Sequence, residues 1–344
     1  MNKNMVSIII TSYGEPDGLK RAVMSLICQS YQEIEIVVVD DNDPNTEYRK
    51  KTEQVIDGFD DKRIVYLKHE KNKNGAAARN TGIQAARGEY VCFLDNDDFY
   101  LSDRIQNAVT FFEHHVDYDG VCSKIMLVSN GTLREINEIL AEKNFYDSMM
   151  NNIHLIGTGS NIFLRKRVLD EVKGFDECFQ RFQDVEFMLR VAKKFRIGII
   201  DSIDIVKVNS GLHSISFKKL SVATKLLIDK FRDEIESLPE EKKIRFYDER
   251  YTQLLLSAFN TGTEEDIEYA RQLLQTVRPL SDREKSIEND LASYRKKRKN
   301  KEKMLKSSFF RYINSFLKRK NVQRIYRELP EKKVKELRDF LKIK

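Results

Sequence analysis

The stretch GEYVCFLDNDD, Gly88–Asp98, decides how the first half of the chain reads. Tyr90–Leu94 is an unbroken apolar and aromatic run that leads straight into Asp95-Asn96-Asp97-Asp98. A run of that length and make-up reads as a strand buried on both faces, with the acids on the turn just past its end. Two nearby carboxylates on such a turn suit a hard divalent cation. Mg²⁺ and Mn²⁺ take oxygen ligands and commonly bridge one or two carboxylates to substrate phosphates. The same residues also suit a plain helix start, with Ser102 as the N-cap of the helix that follows.

Working outward, strand and helix signals alternate through the first hundred residues. Val6–Thr11, Ile34–Val39 and Ile64–Leu67 are short β-branched runs that read as strands. Tyr13–Gly18 is a loop, and Pro16 and Asp17 suit the first turn of a helix carrying Leu19, Ala22, Val23, Leu26 and Ile27 at helical spacing. Asn42-Asp43-Pro44 breaks the chain before a charged helix that runs to about Asp57. Asn74-Gly75 opens a helix over Ala76–Ala86 whose small side chains allow close approach to a sheet or a ligand, and Gly88 ends it. Alternation of this kind predicts a parallel sheet with helices on both faces. Ligands of such folds bind beyond the carboxyl ends of the strands. Tyr13, Asp40 and Asp95 all sit there, where one ligand could touch all three.

Downstream the pattern is mixed. Ser160–Leu164 and Ile197–Ile200 read as strands, and Asp184–Phe195 as a helix with Val185, Leu189 and Ala192 on one face. After about Ser216 the chain becomes helical and charged, with Lys218–Ser237 carrying Leu220, Ala223, Leu226, Leu227 and Phe231 at amphipathic spacing. These shifts place a domain boundary near residue 215.

Length and composition fit this division. The 344 residues suffice for one large domain and an extension, and 41% hydrophobic residues is ordinary for a globular chain. The longest apolar runs are far shorter than the roughly 20 residues a bilayer span needs. The start MNKNMVSIIITSY is unlike a signal peptide, so a cytoplasmic location is the default expectation. Cys28, Cys92, Cys122 and Cys178 are widely spaced, which argues for buried free thiols rather than a zinc site or disulfides. The net charge of +6 is unevenly spread: Arg295–Lys344 holds 20 Lys and Arg against 5 Asp and Glu, leaving 40 basic and 49 acidic residues before it. Such asymmetry points the tail at an anionic partner.

Four blocks then stand together: VSIIITSY (Val6–Tyr13), VVVDD (Val37–Asp41), NGAAARNTG (Asn74–Gly82) and Gly88–Asp98. In this order and spacing they resemble the family 2 glycosyltransferases. GSNIF from Gly159, GFD from Gly174 and RFQDVE (Arg181–Glu186) are similar to that family's acceptor-side half. The likeness covers roughly residues 5–215, and bacterial members that build surface polysaccharides look closest. It implies a GT-A fold: an α/β, Rossmann-like, mostly parallel sheet flanked by helices. Residues 1–100 would form the nucleotide-binding half and 101–215 the acceptor half, with 216–344 a helical, basic C-terminal extension. It implies an inverting transfer from a nucleotide-sugar donor, such as a UDP-sugar, with Mn²⁺ or Mg²⁺ as cofactor.

The resemblance also assigns residues. Thr11 and Tyr13 would lie against the nucleobase, Asp40 would hydrogen-bond it, and Glu15 would sit beside that pocket. Asn74 and Arg79 match positions lining base, ribose or diphosphate. Asp95 would meet the ribose or the outer metal shell, with Asn96 beside it, and Asp97 would be the direct metal ligand. His213 matches loosely a histidine that completes the metal site. Asp184 would be the base. The family's commoner pair there is Glu-Asp; here it is Gln183-Asp184, so a supporting charge is missing. Glu186 is an alternative base that could instead pair with Arg190 at i+4. The physical chemistry agrees. Tyrosine offers a base a flat face, an ionised aspartate accepts from a base N–H, and arginine pairs with diphosphate oxygens. Each also has an ordinary reading: Tyr13 as loop packing, Arg79 as a helix charge, and Asp40 and Asp184 as helix caps or first-turn charges.

In the tail, KMLKSSFFRYINSFLKRK (303–320) would line one helical face with Leu305, Phe309, Ile313, Phe316 and Leu317, with Lys306, Arg311, Lys318, Arg319 and Lys320 largely around it. A basic amphipathic helix suits a membrane surface. It equally suits packing on the catalytic domain or on another subunit. Nucleic acid is not expected, because no motif in the front half supports it. The chain therefore reads as an inverting glycosyltransferase that extends a glycan, lipid-linked and at the inner membrane face, in surface polysaccharide synthesis. The alternative is a non-catalytic nucleotide- or glycan-binding module on a degenerate transferase fold.

Overall fold

Side chains along the first strands alternate between two cores. Ile9, Val37, Val39, Val91 and Phe93 point to one face, and Ile8, Ile10, Ile36, Val38, Cys92 and Leu94 to the other. Burial on both faces is what an internal parallel strand with helices on either side requires. The computed structural model describes residues 2–14, 16–129, 132–136, 145–151, 156, 158–209, 216–300 and 331–340. In it, β1 (Asn2–Ser12), α1 (Pro16–Ile27), β2 (Ile34–Asp40), α2 (Glu47–Asp57), β3 (Ile64–Lys68), α3 (Gly75–Ala85) and β4 (Gly88–Asp95) alternate as the sequence predicts.

These strands lie in the order β3-β2-β1-β4, all parallel. Register brings their carboxyl ends level: Thr11 pairs with Val39 on one side and Asp95 on the other. α3 packs tightly on β1, and a Cβ at Gly82 would meet Ile9 Cγ2 at 2.3 Å. The small residues of this helix therefore serve contact with the sheet.

Beyond β4 the sheet changes character. β5 (Phe99–Tyr100), β6 (Gly120–Ser129), β7 (Thr132–Ile136), β8 (Phe163–Arg165) and β9 (Ile197–Asn209) extend it in the order β4-β8-β6-β9-β5, with β7 on β6. Only β6 and β9 pair parallel there; the β4–β8, β6–β8, β5–β9 and β6–β7 pairs are antiparallel. The sheet is therefore mixed, with a parallel half and a largely antiparallel one. The strand expected at Ser160–Leu164 starts later. Gly159–Asn161 is a 3₁₀ turn capped by Thr158, and the Asn161 side chain bonds Ser123 at both N and O.

The helices α4 (Arg104–His114), α5 (Phe145–Asn151), α6 (Lys166–Val172) and α7 (Gln183–Lys194) flank this second half. α8 (Phe217–Lys230), α9 (Arg232–Glu236), α10 (Glu240–Thr261), α11 (Glu264–Gln275) and α12 (Asp282–Asn289) follow. The amphipathic stretch from Lys218 is two helices rather than one, broken at the buried Phe231. Leu227, Phe231, Ile235 and Phe246 join the same core as Phe93, Phe175 and Phe187, so the C-terminal helices pack directly on the catalytic sheet. Among the described residues no helix is long and apolar enough to cross a membrane. Cys92 and Cys122 are buried, which pushes both thiols up to about 12, while Cys28 and Cys178 are exposed, contrary to expectation.

The last described helix, α13 (Glu331–Phe340), returns to the sheet domain at Ser102 and Asp204. Glu336 accepts from the backbone N–H and hydroxyl of Ser102 at 2.9 and 2.6 Å. Ser102 is thus not the cap of α4; that position is Asp103, whose side chain pairs with Lys332 at 2.9 Å. Lys333 donates to the buried Asp204 at 2.9 Å and to the carbonyl of Ile203 at 2.6 Å. The amphipathic segment 303–320, Glu15 and His213 lie outside the described residues. Lys333→Ala leaves the Asp204 carboxylate with only neutral donors. Urea titration is expected to show a loss of about 1–3 kcal/mol, the cost of removing one partner from a buried charged group.

Candidate active site

The carboxyl ends of β1, β2 and β4 open into a cavity of about 480 Å³. Thr11, Tyr13, Asn74, Arg79, Asp95, Asn96 and Asp97, all named from the sequence, line it together. Tyr13 is 63% exposed at its mouth, a free flat surface. A second cavity of about 480 Å³ lies beside it, lined by Asp184, Thr158, Arg181, Phe182, Lys207, Leu220 and Gln253 among others. Arg79, Asp95, Gln180 and Gln183 belong to both walls, so the two cavities meet at these four side chains.

The acidic turn is held from several sides. Arg21 donates to the carbonyl of Asp97 at 2.8 Å, and Asn96 Nδ2 donates to the carbonyl of Gly14 at 3.3 Å. Gly18 lets α1 reach this turn, since a Cβ there would stand 2.6 Å from the carbonyl oxygen of Asn96. Asp95 pairs with Arg79 at 2.7 Å and accepts from Thr158 Oγ1 at 3.1 Å. Burial works against its ionisation, but Arg79, Lys207 and these hydrogen bonds hold its carboxyl below the ordinary value. At Asp97 the support from its own backbone N–H, Lys207 and Arg21 is outweighed. Surrounding protein and then the charge of Asp95 push it up to about 6. Asp98 is buried and pushed to about 7 by that burial and by Asp97 and Asp95. Its oxygens accept from Ser160 Oγ at 2.6 Å and the Val208 N–H at 3.1 Å, and the Thr158 hydroxyl, 3.0 Å away, is shared between Asp98 and Asp95.

Two acids with raised pKa beside Asp95, which is held ionised, make an oxygen-only turn that fits a divalent cation electrostatically. Asp97, opening into the cleft, and Asp95 are the residues that would hold it. Among the described residues no group of three or more His, Cys, Asp or Glu side chains encloses a metal by itself. The remaining positions would fall to water and substrate phosphate, as is common for Mg²⁺.

Asp40 departs from expectation. It is fully buried beneath the donor cavity and does not line it. Its Oδ1 accepts from the N–H and Nδ2 of Asn42 at 2.9 and 2.8 Å, and its Oδ2 accepts from Tyr66 at 2.5 Å and pairs with Arg49 Nε at 3.2 Å. The reason is strand parity. Asp40 shares its face with Ile36 and Val38, and that face looks toward the helix carrying Arg49. Asp41 is the carboxylate on the cavity wall. It is tied to His69 at 2.7 Å, to the N–H groups of Lys73 and Asn74 at 2.9 and 3.1 Å, and to Asn72 Nδ2 at 2.9 Å. Asn74 spends its side-chain oxygen capping α3 at Ala76 and Ala77, its Nδ2 donates to the carbonyl of Glu177 at 3.0 Å, and its backbone stands at φ 132°.

Asp184 sits in the first turn of α7, half-buried, on the second cavity. Glu186 is not available as a base. It is fully buried and pairs with Arg190 and, at 2.7 Å, with Lys230. Sequence reasoning missed Asp41, Lys207, Lys219 and Gln253. Asp41 differs from Asp40 only by parity, and the other three carry no motif. Lys219 reaches the donor cavity from α8, and Gln253 the second cavity from α10.

Residues 7–173 match the family Glycosyl transferase family 2. An uncharacterized glycosyltransferase of Methanocaldococcus jannaschii is 30% identical over 209 residues, 58% of this chain and 69% of that protein. The chain is a member of glycosyl transferase family 2. The UDP-Glc:alpha-D-GlcNAc-diphosphoundecaprenol beta-1,3-glucosyltransferase WfaP of Escherichia coli is 36% identical over 109 residues, 32% of this chain and 41% of that one. The structure of S. aureus TarS in complex with UDP-GlcNAc superposes with a TM-score of 0.58 at 18% identity, covering 89% of this chain and 91% of that one. The likeness in fold includes the C-terminal helices.

Asp40→Asn leaves the buried Arg49 without its anion. Its effect is expected in urea unfolding, as a loss of about 3 kcal/mol, and not as a selective loss of nucleotide affinity in the surviving folded fraction.

Proposed function

We propose that the chain transfers a sugar, with inversion, from a UDP-sugar to a hydroxyl of a lipid-linked glycan in bacterial surface polysaccharide synthesis. The observation that carries this reading is the junction of two cavities at Arg79 and Asp95, with Asp97 on one side and Asp184 on the other. Tyr13 and Thr11 receive the nucleobase, with Asp41 bracing the Lys73 and Asn74 N–H groups of the wall beside it. Arg79, Lys73 and Lys219 face the diphosphate. Mn²⁺ or Mg²⁺ bound at Asp97 and Asp95 would supply charge neutralisation for the leaving diphosphate. Asp184 takes the proton of the acceptor hydroxyl as that oxygen attacks the anomeric carbon. The bond from that carbon to the diphosphate breaks on the opposite face, and the nucleoside diphosphate leaves with its electron pair. The choice of a UDP-sugar and a lipid diphosphate acceptor follows the activity for which the E. coli relative is named. Work at the inner face of the cytoplasmic membrane follows from such an acceptor and from the basic composition of 295–344.

The one feature that favours a non-catalytic binding module is Gln183 in place of a glutamate, and Gln183 is bonded to Arg79 in the site. The deciding experiment incubates the purified chain with Mn²⁺ and UDP-glucose or UDP-GlcNAc, with and without lipid-diphosphate-linked sugars, and follows transfer by mass spectrometry. UDP binding without transfer or hydrolysis across that panel would refute the enzyme reading. Asp97→Ala is expected to abolish the response to Mn²⁺, and unchanged Mn²⁺ dependence would sink the metal assignment. Asp184→Asn is expected to lower turnover about 10²–10⁴-fold, the range for a general base, with UDP affinity retained in calorimetry.

A further inference from the structure

Gln183, the first residue of α7, stands one position before Asp184, and its amide is held at both ends. Oε1 accepts from Arg79 Nη1 at 2.8 Å, and Nε2 donates to the carbonyl of Phe179 at 2.8 Å. Arg79 continues the line through Nη2 to Asp95 Oδ1 at 2.7 Å, and its guanidinium lies over the Phe175 ring, 5.3 Å from the centroid. Two glycines make room for it. A Cβ at Gly75 would stand 2.9 Å from Gln183 Oε1 and 3.3 Å from Arg79 Nη1, and one at Gly159 would stand 3.2 Å from Arg79 Nη2. The line from Phe179 through Gln183 and Arg79 to Asp95 crosses the junction of the two cavities.

These two hydrogen bonds define the chemistry that the position accepts. An amide has one end that donates and one that accepts; a carboxylate only accepts. Glutamate at 183 would turn a lone pair toward the Phe179 carbonyl and set a second acid on Arg79. With glutamine, the line holds one cation and one anion. Asp97 and Asp98 stand alongside, so any added negative charge would favour a cation and oppose a diphosphate at this place.

We propose that Gln183 is a positioning residue. It holds Arg79 across the junction without neutralising it, so that the guanidinium serves Asp95 and the donor diphosphate while the start of α7 keeps Asp184 in line with them. The inference rests on the nucleotide-sugar reading above.

The test uses the full chain and isothermal titration calorimetry with two probes: Mn²⁺ alone, and UDP at saturating Mn²⁺. Gln183→Glu is expected to bind Mn²⁺ about 3–10-fold more tightly and UDP about 5–10-fold more weakly, because the added charge acts with opposite sign on cation and anion. Gln183→Met adds no charge; it is expected to weaken UDP about 3-fold, one lost hydrogen bond, and to leave Mn²⁺ unchanged. Unfolding midpoints are read in parallel. Affinities unchanged in Gln183→Glu, or both lowered together with the midpoint, overturn the proposal, since the first denies the contact and the second makes it purely structural. If the unaltered chain binds neither UDP nor GDP with Mn²⁺, the nucleotide-sugar reading itself falls, and this inference with it.

Discussion

Asp98 is a buried carboxylate on the last turn of the parallel half, and its hydrogen-bond donors come from elsewhere. Ser160 and Thr158 belong to the 3₁₀ turn before β8, and the Val208 N–H belongs to β9. A buried acid without donors costs several kcal/mol or stays neutral. The two halves of the sheet must therefore come together for the acidic turn to exist in this form. The same turn carries Asp95 and Asp97 into the cleft, so the closure of the fold and the preparation of the site are one event. Tyr100, just after the turn, adds a further tie, its hydroxyl shared between the carbonyls of Phe93 and Ser160 at 2.7 and 2.8 Å.

The parallel half was legible because its information is local. Each strand is a short apolar run, each helix starts at a recognisable residue such as Pro16 or Asn74, and the observed bounds lie within a few residues of those read. The second half is less local. β8 has three residues, and its place between β4 and β6 depends on Asn161 bonding the main chain of Ser123, a contact between residues far apart in sequence. Composition around Gly159 carries no sign of that pairing. The return of α13 to Ser102 and Asp204 is similar, since nothing in EKKVKELRDF names its partner.

Recognition is divided unevenly along the chain. The family match ends at residue 173, yet Asp184, Lys207, Lys219, Leu220 and Gln253 line the cavities beyond it. The donor wall is built mainly from β1, α3 and the acidic turn, which are the parts with motifs. The far wall of the second cavity comes from α7, α8 and α10. Under the proposed reading, an acceptor that varies from one transferase to another would be read by such helices, and the nucleotide by the loops that carry motifs. Motif strength and site importance therefore diverge: the sequence speaks most clearly about the substrate part that changes least.

The pair Asp40-Asp41 shows where a motif stops and geometry begins. Both residues are carboxylates at the end of β2, and composition gives no reason to prefer either. The alternation of side chains along a strand does. Even-numbered residues of β2 face the core shared with α1 and α2, where Arg49 and Tyr66 engage Asp40, and that carboxylate becomes part of the scaffold. Asp41 lies one step past the strand and gathers the N–H groups of Lys73 and Asn74, which shapes the loop on the donor wall. One acid braces the strand end and the other forms the pocket. Counting from Ile36 and Val38 would have separated them, because a shift of one residue along a strand exchanges its two faces.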